Sequence, residues 1–128
     1  MLLSINENGN YPIYLQIISQ IKEQVGKGIL QPGDELPSVR EVADSLGINM
    51  HTVRNAYLKL RDQGIINLRL GRRARIVWRQ PPVHTTDSEA ELKVRLKELI
   101  TDAFLMGLSL DDFHDLVNQQ LAQLKMMK

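Results

Sequence analysis

The sequence predicts a mainly α-helical chain with one small β-hairpin, built as a compact front unit and a two-helix tail. Three observations carry this. Three amphipathic helical stretches open the chain, and the last two are separated by only Gly47-Ile48-Asn49. The apolar period then shortens to two over residues 65–78, on either side of a glycine. A stretch with two prolines and no period follows, and behind it lie two more apolar stripes at helical spacing. The expected boundaries are a front unit at 1–79, a linker at 80–87 and a helical tail at 88–128.

The first helix begins near Pro12, whose missing N–H is not needed in a first turn. Tyr14, Ile17, Ile18, Ile21 and Val25 share one helical face, and Gly26 and Gly28 weaken its end. Pro32-Gly33 signals a turn, and Pro37 blocks a helix through Leu36. The second helix starts at a capping box, Ser38 with Glu41; it buries Val39, Val42, Ala43 and Leu46 and ends at Gly47. Asn49 caps the third, which buries Val53, Ala56, Tyr57 and Leu60 and ends at Gly64. Residues 65–70 and 74–78 read as strands, with Gly71-Arg72-Arg73 at the bend. Ala74, Ile76 and Trp78 fall on one face of the second strand; Arg73, Arg75, Val77 and Arg79 fall on the other. In the tail, Ser88 with Glu91 reads as a second capping box, and Ser109 with Asp112 starts the last helix after a stop at Gly107.

Composition narrows the function. Sixteen Lys and Arg against fifteen Asp and Glu leave the chain nearly neutral. The balance is uneven: residues 1–80 hold 11 basic and 7 acidic side chains, and residues 81–128 hold 5 and 8. Five of the arginines (Arg69, Arg72, Arg73, Arg75 and Arg79) crowd into the hairpin. A basic front unit points to an anionic partner. Absence of cysteine excludes disulfides and thiol catalysis and fits a cytoplasmic location. No apolar run approaches a membrane span, and the start "MLLSINENGN" has no secretory pattern, so no membrane partner is expected.

Two helices joined by a three-residue turn with glycine form a helix-turn-helix, which presents the start of the second helix outward. One α-helix fits a DNA major groove, and side chains at its start reach base edges. Met50, His51, Thr52, Arg54 and Asn55 occupy that outward face. Asn49 and the free N–H groups beside it suit a phosphate. The hairpin then becomes a wing beside the reading helix, with Gly71, Arg72, Arg73 and Arg75 placed to meet the DNA backbone or minor groove. The expected architecture is therefore a winged helix-turn-helix domain followed by a two-helix dimerisation hairpin, with double-stranded DNA as partner.

The stretches "PGDELPSVREVA" and "HTVRNAY" carry a resemblance to the amino-terminal domain of GntR-family bacterial transcriptional regulators, over about residues 11–78. The short two-helix tail resembles the YtrA-like subfamily, whose members dimerise through it. The resemblance implies a DNA contact for Arg40, beside the cap residue Ser38. It places His51, Thr52 and Arg54 at recognition-helix positions and Gly71 at the wing-tip glycine. Two departures stand out: Met50 replaces a residue that is polar or basic in many members, and Arg73 replaces a second wing glycine.

The tail stripes are Leu92, Leu96, Leu99, Ile100 and Ala103, then Phe113, Leu116, Val117, Leu121 and Leu124. A lone helical hairpin buries too little to stand by itself, so the stripes need a partner, the winged domain or a second copy. A second copy matches a two-fold operator. Two helices are too few to close around a ligand cavity, and a small-molecule effector, if one acts, is not identified by any residue. Asp111, His114 and Asp115 share a helix face, yet acids here also suit a helix N-terminal dipole, and no metal or other cofactor is expected. No nucleophile or metalloprotease motif and no phosphate loop occurs around the three histidines, His51, His84 and His114, so no enzyme activity is expected. The reading is a homodimeric, sequence-specific regulator of transcription that represses through an inverted-repeat operator. Two alternatives fit the same residues: a protein-interaction module that retains a winged fold, and a sequence-independent nucleic-acid binder.

Overall fold

In the computed structural model, residues 1–81 and 86–126 are described. The elements are α1 (Ile13–Gly26), α2 (Val39–Leu46), α3 (Met50–Asp62), β1 (Ile66–Asn67), β2 (Arg75–Ile76), α4 (Thr86–Leu105) and α5 (Leu110–Leu124). Residues 1–79 make one compact unit, and α4 with α5 belongs to a second.

The core of the first unit follows the apolar periodicity. Ile17, Ile18, Ile21 and Val25 of α1 meet Val42 and Ala43 of α2 and Val53, Ala56, Tyr57 and Leu60 of α3. Tyr14, Val39 and Leu46 pack at its margin, half-buried. Burying such a set removes several hundred Å² of apolar surface from water at roughly 25 cal/mol per Å², and this holds α3 against α1 and α2. The turn between α2 and α3 depends on Gly47, whose φ of 68° is the left-handed conformation that a side chain resists. Ser38 Oγ accepts from Glu41 N at 3.1 Å and Glu41 returns a bond to Ser38 N, completing the capping box. Asn49 Oδ1 accepts from His51 N at 2.7 Å, which makes Asn49 the cap of α3.

The hairpin ladder is shorter than the sequence suggests. Ile66 pairs with Ile76 and Asn67 with Arg75, and the strands extend no further. The other edge of β2 is paired as well. Residues 33–36 pair there: Gly33 N donates to Ile76 O, Ile76 N to Asp34 O and Leu36 N to Ala74 O, all at 2.8–2.9 Å. Val77 N and Trp78 N both turn to Ile65 O, which ends the regular register. The face assignment holds, with Ala74 and Ile76 buried and Arg75 and Val77 exposed.

A second feature has no counterpart in the apolar pattern. The first residues run extended along α1 and are tied to it by three glutamines. Gln24, Gln20 and Gln16 each accept from and donate to the backbone of one residue, Leu2, Ser4 and Asn6 in turn. Each side-chain amide thus replaces a neighbouring strand.

In the second unit, α4 starts at Thr86, two residues before the expected boundary. Ser88 therefore lies within its first turn rather than capping it. Asp87 and Glu89 in that turn favour the helix dipole. Ser109 and Asp112 form their capping box at the start of α5. Residues 82–85 of the expected linker, including His84, lie outside the described residues.

Candidate nucleic-acid interface

Burial of Val53, Ala56, Tyr57 and Leu60 rotates the opposite side of α3 into solvent. His51, Arg54 and Asn55 are exposed there, Met50 is 41% exposed at the first position, and Thr52 is half-buried. The backbone N–H of Thr52 is bonded to Asn49 O at 3.1 Å. Asn49 itself is exposed. Tyr57 locks the helix from below: its hydroxyl donates to Pro37 O at 2.7 Å, the residue before the α2 cap. Burial, with the nearby Glu41 carboxylate, pushes the Tyr57 phenol above its usual range, so it stays neutral. Arg40 stands exposed in the first turn of α2, and Ser38 is half-buried as its cap.

The wing tip is a turn in which Arg72 N donates to Arg69 O at 3.1 Å. Gly71 sits at its third position with φ 73°, the conformation a type II turn requires there. Leu70 beside it is fully exposed. Arg72 carries its charge into solvent.

Arg73 and Arg75 differ from Arg72. Arg75 donates to Gly33 O at 2.8 Å and to Glu35 Oε1 at 2.7 Å, and its own N–H bonds to Asn67 Oδ1. Arg73 pairs with Glu41 at 2.7 Å and approaches Glu35 at 3.9 Å. The Arg73 guanidinium, together with the Ser38 hydrogen bonds, holds the Glu41 carboxyl below its ordinary value. Among the described residues, Arg69, Arg72 and Arg79 make no ion pair. A cleft of about 310 Å³ separates wing from reading unit, lined by Ser38, Val39, Tyr57, Leu68, Gly71, Arg72, Arg73 and Ala74. The structure therefore brings Ser38, Gly71, Arg72 and Arg73 around one cleft, while Arg75 faces the 33–36 segment. Sequence reasoning missed Glu35 and Glu41 as partners of the wing; acids at the loop before α2 and in its first turn, facing a wing rich in arginine, were the available signal.

In the tail, only Ala103 of the expected stripes is buried. Phe113 and Leu124 are half-buried. Leu92, Leu96, Leu99, Ile100, Leu116, Val117 and Leu121 are all exposed. So are Val94, Phe104, Leu105, Met106 and Leu110, which the stripes did not include. Among the described residues no His, Asp or Glu cluster suits a metal ion, and no helix is long and apolar enough to cross a membrane.

Residues 13–76 match the family described as bacterial regulatory proteins, gntR family. Over 124 residues the chain is 38% identical to the HTH-type transcriptional repressor YtrA of Bacillus subtilis, a match that covers 97% of this chain and 95% of that protein. Among solved structures it is similar to a transcriptional antiterminator from Listeria monocytogenes, with a TM-score of 0.86, 33% identity and coverage of 100% and 96% of the two chains. YtrA from Sulfolobus acidocaldarius, a GntR-family transcription factor, aligns with a TM-score of 0.64 at 37% identity over 79% of this chain and 99% of that one. These relatives regulate transcription rather than catalyse a reaction, and they share the mainly helical, winged-helix architecture.

Proposed function

We propose, since this chain belongs to the gntR family of bacterial regulatory proteins and is a DNA-binding transcription regulator, that it acts in the cytoplasm as a homodimeric repressor of an inverted-repeat operator. The observation that carries this is the start of α3. Exposed His51, Arg54 and Asn55 stand on a helix whose other face is fixed in the core. Arg54 and Asn55 read base edges in the major groove, with His51, Thr52 and Met50 beside them. Arg40, Asn49 and the α2 cap at Ser38 set the register on phosphates. Gly71 lets the wing backbone approach closely, and Arg72, without a carboxylate partner, neutralises a phosphate there; Arg73 and Arg75 stand behind it with their charges met by Glu41 and Glu35. The exposed leucines of α4 and α5 support a second copy as the tail's partner, since apolar surface of that extent calls for cover. A dimer would place two reading helices about one DNA turn apart, roughly 34–36 Å. A small-molecule effector that alters this spacing would induce by shifting the population away from the bound form.

Selection of bound sequences from a random duplex pool at about 0.15 M salt tests the reading, because non-specific binding is already weak there. An enriched inverted repeat is the expected result. Folded protein that enriches nothing would overturn a stand-alone sequence-specific repressor.

A further inference from the structure

Four charged side chains form a closed group at the base of the wing. Arg73 meets Glu41 at 2.7 Å and Glu35 at 3.9 Å, and Arg75 meets Glu35 at 2.7 Å. The group sums to zero, so two of the five hairpin arginines carry their own counter-ions. The two differ in how firmly they are held. Arg75 has a backbone carbonyl as well as a carboxylate, and the ladder on both sides of β2 fixes its position. Arg73 lies outside the ladder, and its side chain and that of Glu41 are each about half exposed, 47% and 52%. Exposed pairs of this kind are weak, so the Glu41 carboxylate and a phosphate are rivals of similar strength for the guanidinium. The backbone ladder already anchors the hairpin, so Arg73 adds little to its position. What the pair does change is the charge available at the cleft wall.

We propose that Glu41, backed by Glu35, is a built-in competitor of DNA phosphate for Arg73, and that it sets the wing's affinity for DNA below what its arginine count would give. In the free protein Arg73 is neutralised in place. Its transfer to a phosphate would leave a carboxylate unpaired beside the DNA, so the transfer yields little, and Arg72 carries the phosphate contact alone. Arg73 is therefore a charge that the protein itself cancels. This inference rests on the wing meeting DNA, and the experiment separates the two claims.

Glu41→Gln is the informative variant, because glutamine can complete the capping box that glutamate makes with Ser38. A random-sequence 20-base-pair duplex is added to the full-length wild type and variant, and the Arg Nε–Hε signals are followed by NMR alongside the affinity at several salt concentrations. The Arg72 signal is expected to move in both proteins, and the Arg73 signal in Glu41→Gln alone. The variant should bind about two- to fivefold tighter, the scale of one exposed ion pair, with a salt slope steeper by up to about 0.9. Movement of Arg73 in the wild type equal to that of Arg72 would overturn the competition, and so would an Arg73 signal that stays still in both. A duplex that binds while neither arginine responds would overturn the wing contact itself, and the competitor with it.

Discussion

Arg54 and Asn55 are adjacent in sequence and both exposed, and at 3.6 residues per turn the helix sends each in its own direction. A side chain that pairs with a base edge in two places contributes roughly 1–3 kcal/mol of discrimination. Arg54→Ala and Asn55→Ala should therefore lower the preference for operator over random duplex by about that much each, leaving non-specific binding closer to wild type. Competition binding with both duplexes reads this, and unchanged preference would remove α3 from the reading role. These residues were legible in the sequence because the period of α3 fixes its buried side, so its outward side follows. Glu41 was legible only as half of a capping box. Its second partner, Arg73, is 32 positions away in sequence, and no local pattern reports such a pair. The pairing has a titration consequence. Arg73 and the Ser38 bonds depress the Glu41 pKa in the folded chain, so their contribution to folding is present above the ordinary glutamate value. It is lost as pH falls through the depressed one. Arg73→Gln should raise the Glu41 pKa toward the ordinary value without reaching it, since the Ser38 bonds persist, and should shift that loss to higher pH. Carbonyl-carbon NMR titration of Glu41 measures the shift; an unmoved pKa would mean the two charges are not coupled in solution.

Elements show the same division between local and distant causes. Both Ser38–Glu41 and Ser109–Asp112 close as capping boxes because each needs only one turn of helix. The two strands are shorter than their apolar pattern because Val77 N and Trp78 N both turn to Ile65 O, and the second partner of β2 comes from residues 33–36, about forty positions earlier. The glutamine ladder on α1 was not read at all. Polar residues carry no apolar signal, although Gln16, Gln20 and Gln24 recur every four residues. The spacing has a geometric basis. Four helical residues rise about 6 Å, and two extended residues advance about 6.8 Å, a mismatch small enough for flexible side chains to absorb. Each amide then satisfies one backbone N–H and one C=O of the leading segment. Gln20→Ala should release Ser4, whose amide is held at 2.9 Å, and lower stability by about 1 kcal/mol, the scale of a net hydrogen bond or two. Alanine favours helix, so α1 itself should persist. Hydrogen exchange distinguishes the outcomes: fast exchange at Ser4 with α1 still protected is expected, and retained protection at Ser4 would mean the segment is held by Met1 and Leu3 packing instead.

At the scale of the whole molecule, the apolar stripes of α4 and α5 were read from the sequence, and their need for cover follows from how little the two helices bury. Only Ala103 among the stripe residues is buried, while Leu92, Leu99 and Leu121 are more than half exposed. Phe104, Leu105, Met106 and Leu110 widen the apolar surface around the helix turn: Met106 lies three residues after Ala103, Leu110 three before Phe113 and Phe104 four after Ile100, so they continue the stripes at their ends, while Leu105 falls off. Apolar surface of this extent is the mark of an association site, which is why a second copy is proposed to cover it. A two-fold partner also gives each tail an identical face to meet. Removing residues 88–128 should therefore produce a monomer by light scattering, and its circular dichroism and cooperative melting should persist, because the core of residues 1–79 lies wholly within that unit. Affinity for a single half-site should change little, whereas affinity for an inverted repeat should fall by about 10²-fold or more as the two heads lose their linkage. A truncated chain that remains dimeric would move the interface to the winged unit. A monomer with undiminished affinity for the repeat would show instead that the two heads bind independently, and the tail's exposed leucines would then need a partner other than a second copy of this chain.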